Sequence, residues 1–306
     1  MPTKASRNRT ICLENKEVLQ LTSSAVKLYK KENLEDVVNK VIWQDTLKAM
    51  DFLPDKCIDL MIVDPPYNIT KNFGTSVFKE MKTDEYAKWL DKWLRKTVRL
   101  LKDDASVYIC ADWKSSIAIP YIAGKYFELQ NRISWEREKG RGAKNNWKNC
   151  LEDIWFFTKG KSYKFNLDKV KILRPVIAPY RDGKGTPKDW FEDGNKKFRL
   201  THPSNVWTDI SVPFWSMAEN TNHPTQKPEK LIAKLVLASS DVGDVVFDPF
   251  LGSGTTAVVA KKLGRNFIGI EKEREYVALS LKRLDLANSN THIQGFEDGI
   301  FKPRNM

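Results

Sequence analysis

Four consecutive residues, Asp64-Pro65-Pro66-Tyr67, follow the apolar run Leu60 to Val63. A buried parallel strand that ends in an acid places the carboxylate at the carboxyl edge of its sheet, where open α/β folds bind ligands. The two prolines stiffen the turn and carry no N–H. The carbonyls of Asp64 and Pro65 are then free to accept hydrogen bonds from a ligand, and Tyr67 offers a stacking face beside them. Two acceptors and an aromatic platform suit a planar group bearing an exocyclic amine. A turn of purely structural purpose would need only the prolines. The acid and the tyrosine on either side argue for chemistry.

A second pattern runs from Val245 to Thr256, VVFDPFLGSGTT: a strand, a glycine turn, then a helix. Gly252 and Gly254 allow a ligand to approach the backbone, and the helix start supplies N–H donors. Glu271 ends the next apolar run, Phe267 to Ile270, seventeen residues past Gly254. An acid near that distance suits ribose hydroxyls. Ala257 stands where the dinucleotide fingerprint needs its third glycine, so a nucleoside without a pyrophosphate fits better than NAD.

Two stretches are basic. Residues 137–148 hold Arg137, Lys139, Arg141, Lys144 and Lys148 against the single acid Glu138, with Trp147 among them. Such a loop can follow a phosphate backbone while Trp147 stacks or wedges; the plainer reading is a solvated hairpin loop. Residues 160–205 carry eleven Lys/Arg against five Asp/Glu, with glycines at 183, 185 and 194 and no long periodicity. They read as an insertion that meets an acidic partner. Arg174, Arg181, Lys184 and Arg199 are its candidates for touching base edges.

These residues need a scaffold. Short apolar runs at 41–43, 58–63, 106–110, 245–247 and 267–270 alternate with helical patterns over 84–101, 114–126, 228–240, 254–264 and 273–286. That alternation predicts an α/β fold with a mainly parallel sheet. Runs at 129–135 and 154–158 predict an antiparallel hairpin on one edge. In the helix over 84–101, Tyr86, Trp89, Leu90, Trp93 and Leu94 recur at helical spacing and read as core. The expected division is a basic N-terminal arm or cap (1–38), two halves of one domain (39–159 and 206–306) and the insert (160–205).

Composition sets the outer bounds. The chain of 306 residues has a net charge of +12, which points to an anionic partner. No apolar run is long enough to span a bilayer, and the N-terminus lacks the apolar core of a secretion signal. Cys12, Cys57, Cys110 and Cys150 form no CxxC pair, so neither a metal site nor a disulfide framework is expected. A cytoplasmic protein is the simplest reading.

The two signature patterns resemble those of S-adenosylmethionine-dependent DNA amino-methyltransferases. Their order, catalytic motif first and glycine turn last, resembles the circularly permuted beta group of bacterial restriction–modification systems. Asn222 to Pro228, Trp43-Gln44-Asp45 and Val206 to Asp209 also resemble segments of that group. The resemblance spans roughly residues 40–285 and implies a Rossmann-like methyltransferase sheet with an inserted target-recognition region.

It further implies that Asp64 and the Pro65 carbonyl, in the turn completed by Pro66, hold the target amine while Tyr67 stacks on a flipped base. Asp248, Phe250, Gly252, Ser253 and Gly254 would line the cofactor pocket, with Glu271 on the ribose and Asp45 by the adenine. Lys227 and Thr255 would lie near the methionine carboxylate. Asp45 could equally be a helix cap, and His223 reads as loop packing. The implied partner is double-stranded DNA, with no membrane; a homodimer and a separately acting cognate endonuclease accompany such enzymes. Asp-Pro-Pro-Tyr goes mostly with adenine N6, cytosine N4 being the alternative. None of the cysteines follows a proline, which argues against a C5-cytosine nucleophile. A non-catalytic DNA-binding subunit on the same scaffold is the rival from another class.

Overall fold

An apolar run such as Leu60 to Val63 has to be covered on both faces, and all residues of Ile58–Val63 are buried, with the Asp59 carboxylate taken by Lys102 and Val245 N. In the computed structural model, which describes residues 7–137, 145–177, 179–194 and 196–304, this segment lies inside an eight-stranded sheet. Its strands are β1 (Lys40–Trp43), β2 (Ile58–Val63), β3 (Leu101–Ala111), β4 (Glu128–Glu136), β5 (Leu151–Thr158), β6 (Val206–Trp207), β7 (Val245–Asp248) and β8 (Asn266–Glu271). Their lateral order is β1-β8-β7-β2-β3-β5-β4-β6. Neighbours from β1 through β3 run parallel. β5 is antiparallel to both β3 and β4, and β6 is parallel to β4. Thus β7 comes late in the chain yet pairs with β2, Val246 opposite Leu60 and Phe247 opposite Met61.

Among the described residues, the helices α2 (Thr83–Thr97), α3 (Glu229–Ser239), α4 (Thr255–Lys262) and α5 (Arg274–Ser289) cover this sheet, and α1 (Asn15–Thr22) packs on α5. The pleat of β2 divides its side chains between two apolar layers. Leu60 and Ile62 join Leu231, Leu235, Val258 and Val277 from α3, α4 and α5. Met61 and Val63 join Tyr86, Leu90, Trp93 and Leu94 from α2.

The expected strands and the edge hairpin are present, with differences at their margins. Val206–Trp207, not read as a strand, takes the outer edge beside β4. Helix α2 ends at Thr97, and Leu101 opens β3 instead of closing the helix. The helix expected over 114–126 is broken into a 3₁₀ turn, Ser115–Ile117, and a short helix, Ile119–Ala123. Pro120 lies in the first turn of that short helix, where its missing N–H costs nothing; inside one continuous helix it would remove a bond.

Residues 160–205 stay outside the central sheet but are not irregular. Ile172–Pro175, Phe191–Asp193 and Lys196–Thr201 pair antiparallel, with Lys196–Thr201 in the middle. Two short strands from the far end of the chain, Phe296–Glu297 and Ile300–Phe301, complete a five-stranded sheet. Three of its strands have only two or three residues, too few to show a period, and the two longer ones, ILRP and KKFRLT, are broken by proline and basic residues, so the sequence does not announce this sheet. In the N-terminal segment, α1 lies on α5, where Lys282 Nζ is 2.9 Å from Glu17 Oε1. Val26 exchanges backbone bonds with Val41 and Trp43 of β1. No described helix is long and apolar enough to cross a membrane.

Candidate active site

Strands β2 and β7 are parallel neighbours, so the turns that follow them open side by side at one edge. The turn after β2 is pinned from several directions. Tyr86 on α2 donates its hydroxyl to the Pro66 carbonyl at 3.0 Å. Asn68 N donates to Ser115 Oγ at 2.8 Å. The Asn68 side chain donates to Met81 O at 2.8 Å and accepts from Met81 N at 2.9 Å. With two prolines joining Asp64 to these anchors, little freedom remains for it.

Asp64 meets a buried cation. Lys227, 7% exposed, donates from Nζ to Asp64 Oδ2 at 2.6 Å and to the Tyr67 hydroxyl at 3.1 Å. Glu152 Oε2 lies 3.3 Å from the same ammonium. Glu152 also accepts from the Tyr67 hydroxyl at 3.3 Å and from Arg137 Nη1 at 2.5 Å. Two carboxylates thus face an ammonium and a guanidinium, a balanced set that a buried site can hold. Burial works against the Lys227 charge, but Asp64 and Glu152 outweigh it and hold its pKa above the ordinary value. Burial raises Asp64, opposed by Lys227, and raises Tyr67 strongly, with help from both carboxylates. One atom stands apart: Asp64 Oδ1 is buried and has no hydrogen-bond partner among the described residues.

The glycine turn after β7 is laced by its own acids. Asp248 Oδ1 accepts from Phe250 N at 3.0 Å, and Oδ2 from Thr256 Oγ1 at 2.7 Å. Glu271 Oε1 accepts from Lys272 N at 2.8 Å and Glu273 N at 2.7 Å, while Oε2 accepts, among the described residues, from Gly252 N alone at 2.8 Å. Oε2 therefore keeps acceptor capacity. Burial pushes Asp248 up to about 7 and raises Glu271 against those backbone bonds. Gly254 has φ +84, and a Cβ there would meet Ser280 Cβ at 2.6 Å. Its missing side chain thus lets α4 start against α5. Gly254 does not line the cavity described next, a different reason for glycine from the ligand approach expected. Gly252 does line it, with φ +54 and the His223 ring close by. His223 packs edge-on against Tyr276, and burial, with Lys227 and Arg283, holds it neutral at about 3.

Between the two turns lies a cavity of about 220 Å³. Asp64 to Tyr67, Lys227, Asp248, Phe250, Ser253, Thr255 and Glu271 all line it. Asp45 lines it too, and also caps the short helix Thr46–Ala49 by accepting from Lys48 N at 3.2 Å. Trp89 and Trp93 form an aromatic wall with Phe250, at ring distances of 5.9 and 5.5 Å. Their helical spacing matched a core stripe; that they also line a cavity was not legible. A hairpin, Lys71–Phe73 and Ser76–Phe78, adds to the lining, with Phe78 against Trp89 at a ring distance of 5.2 Å. Its tip is latched by Thr75, whose N and Oγ1 donate to Glu273 Oε2 at 3.0 and 2.7 Å. Arg283, buried on α5, supports the turn by donating to Ser253 O and Thr255 Oγ1, both at 2.9 Å.

Of the expected DNA contacts, Lys139, Arg141 and Lys144 lie outside the described residues. Arg137 is turned inward to Glu152, whereas Trp147, 93% exposed, and Lys148 stand in solvent. Arg174 and Arg199 are directly opposite each other on paired strands of the five-stranded sheet. Arg199 is 3.2 Å from Asp189. Arg181 lies over the Trp190 ring at 4.8 Å, and Lys184 is exposed. Glu152, Tyr86, Arg283 and the 71–78 hairpin were missed, because only tertiary pairing brings them to the site.

The profile of a family described as DNA methylase matches residues 58–282. Over 255 residues the chain is 36% identical to the DNA adenine methyltransferase YhdJ of Escherichia coli, covering 81% of this chain and 83% of that protein. Over 251 residues it is 35% identical to the type II methyltransferase M.HpaI of Haemophilus parainfluenzae, covering 80% and 74%. Among solved structures, an S-adenosylmethionine complex of M1.HpyAVI superposes with a TM-score of 0.52 at 25% identity, covering 80% of this chain and 98% of that one. The cytosine-N4-specific PvuII methyltransferase shares the fold, with a TM-score of 0.58 at 19% identity over 85% and 93%. With three quarters of its length inside the profile and two strand-end turns enclosing one cavity, this chain belongs to the DNA methylase family.

Proposed function

We propose that this protein is a site-specific DNA methyltransferase that transfers a methyl group from S-adenosylmethionine to the N6 amine of an adenine drawn out of duplex DNA. One observation carries the reading: Asp64 Oδ1 is buried at the cavity without a partner among the described residues. An unpaired buried acceptor is costly, and the cost is recovered when a substrate donor fills it. YhdJ, named a DNA adenine methyltransferase, supports adenine as the base.

The cavity suits the cofactor by the chemistry of its lining. An aromatic wall would take the adenine moiety, and the crowded carboxylates Asp248 and Glu271 would be relieved by a cation. S-adenosylmethionine supplies a methyl group already activated on a sulfonium. Glu271 Oε2 would take a ribose hydroxyl; Asp45, Phe250, Gly252 and Ser253 complete the lining, and Thr255 holds the Lys227 carbonyl. Lys227 takes a different role from the one its resemblance implied. Its ammonium is occupied by Asp64, Tyr67 and Glu152, so it serves the catalytic carboxylate and not the methionine carboxylate.

Asp64 Oδ1 and the Pro65 carbonyl accept from the two amine protons. That favours a pyramidal nitrogen with a localised lone pair, which an aromatic amine otherwise delocalises. Tyr67 stacks on the extruded base. The pinned turn holds these groups before the base arrives, and such preorganisation does most of the work in an in-line transfer. Arg174, Arg181, Lys184 and Arg199, with Trp147 and Lys148, form the proposed DNA surface. A cytoplasmic location, a homodimer and a separately acting endonuclease belong to the same proposal; the relatives named as type II methyltransferases bear on the endonuclease alone.

The test incubates purified protein with labelled S-adenosylmethionine and unmethylated DNA, then digests the DNA to nucleosides for mass spectrometry. N6-methyladenine is the expected product. N4-methylcytosine would overturn the base, and no methylated nucleoside would overturn the activity.

A further inference from the structure

No motif singles out Glu152, yet the charges of the site meet on it. It is the second residue of β5, opposite Trp135, and is 6% exposed. A carboxylate so buried is tolerated only when donors saturate it. Its donors are Tyr67 and Lys227 on one oxygen and Arg137 on the other. The first two are the groups that frame Asp64. The third begins the basic stretch 137–148.

We infer that Glu152 is a positioning residue for methyl transfer: it draws the Tyr67 hydroxyl and part of the Lys227 ammonium to itself, which leaves Asp64 Oδ1 open for the amine. The inference rests on the reading of Asp64 given above. The Tyr67 hydroxyl meets Asp64 through Lys227, which donates to both. The hydroxyl can donate to one carboxylate only, and donation to Asp64 would occupy an acceptor that the amine needs. Lys227 sits closer to Asp64 than to Glu152, 2.6 against 3.3 Å, so Glu152 shares the ammonium without removing it. Without Glu152 the cluster carries one uncompensated positive charge, and both donors turn to Asp64.

Two variants of the full chain separate these contributions. Glu152→Gln keeps an oxygen for Tyr67 but loses the charge, and Glu152→Ala loses both. Expected are a kcat about tenfold lower for Gln and at least about 100-fold lower for Ala. The affinity for S-adenosylmethionine, measured by calorimetry, should stay within about threefold for both. The acid limb of the kcat profile is the second readout. Asp64 is faced by Lys227, Tyr67, Glu152, Lys71, Tyr86, Cys110 and Asp248. Glu152 raises the Asp64 pKa, so neutralising it moves the limb to lower pH while the urea midpoint of Glu152→Gln stays near wild type; a loosened fold would hydrate Asp64 and lower the limb only together with that midpoint. Unchanged kcat in both variants overturns the inference. So does a loss that tracks folded fraction and cofactor affinity, with the limb unmoved or lowered only together with the midpoint. If wild-type protein transfers no methyl to DNA, the reading of Asp64 itself fails.

Discussion

Two turns leave the same edge of the sheet, each just after a buried strand and each opening on an aspartate. Asp64 is held by a lysine and two prolines, and one of its oxygens is left open. Asp248 is held by its own turn, and both of its oxygens are engaged, by Phe250 N and Thr256 Oγ1. Sequence position and residue type are nearly the same in the two cases. What separates reactive from architectural is the unfilled valence, and that depends on partners far along the chain.

The largest test of this contrast is Asp64→Ala. It should lower methyl transfer by at least about 10³-fold while cofactor affinity changes less than about threefold. If cofactor binding collapses as well, as read by calorimetry, the two turns do not divide the work. The converse variant is Gly254→Ala. It forces a left-handed backbone and a clash with α5, so urea unfolding should show a loss of roughly 2–4 kcal/mol. Stability equal to wild type would mean the turn yields where it is described as rigid.

A smaller effect separates the aspartates by charge. Asp248 is raised to about 7 by burial, so it is largely protonated below that pH and ionised above it. A cationic ligand favours the ionised form. Affinity for S-adenosylmethionine should therefore rise about tenfold from pH 6 to 8, and much less for its uncharged thioether product. For stability the sign is reversed: a raised carboxyl pKa costs the fold stability as pH climbs from 3.8 toward 7. An affinity flat with pH removes Asp248 from contact with the charge. The smallest effect is that of Tyr86→Phe. It leaves the Pro66 carbonyl without its hydroxyl donor and should cost about 1–2 kcal/mol and a few-fold in kcat, with cofactor affinity intact. A cofactor defect instead would show the turns to be mechanically joined.

The sheet was legible because strands buried on both faces are continuous apolar runs, and each strand that mattered ended in a punctuating acid. The site was legible only along the chain. Asp64 to Tyr67 and Asp248 to Thr256 are contiguous, whereas Lys227 reaches Asp64 across 163 residues and Tyr67 reaches Glu152 across 85. Trp89 and Trp93 carried a helical period that is the same for a core stripe and a cavity wall. Gly254 looked like room for a ligand because glycine marks close approach without naming what approaches; here it is Ser280.

The two short strands near the C-terminal end matter for engineering. Phe301, fully buried, pairs with Ile172, and its N–H donates to Lys171 O. A chimera that grafts residues 160–205 from a relative onto this chain would inherit a foreign edge beside a native tail. A transplanted 160–205 segment should therefore travel with the matching 296–301 segment, although ninety residues of other scaffold separate the two.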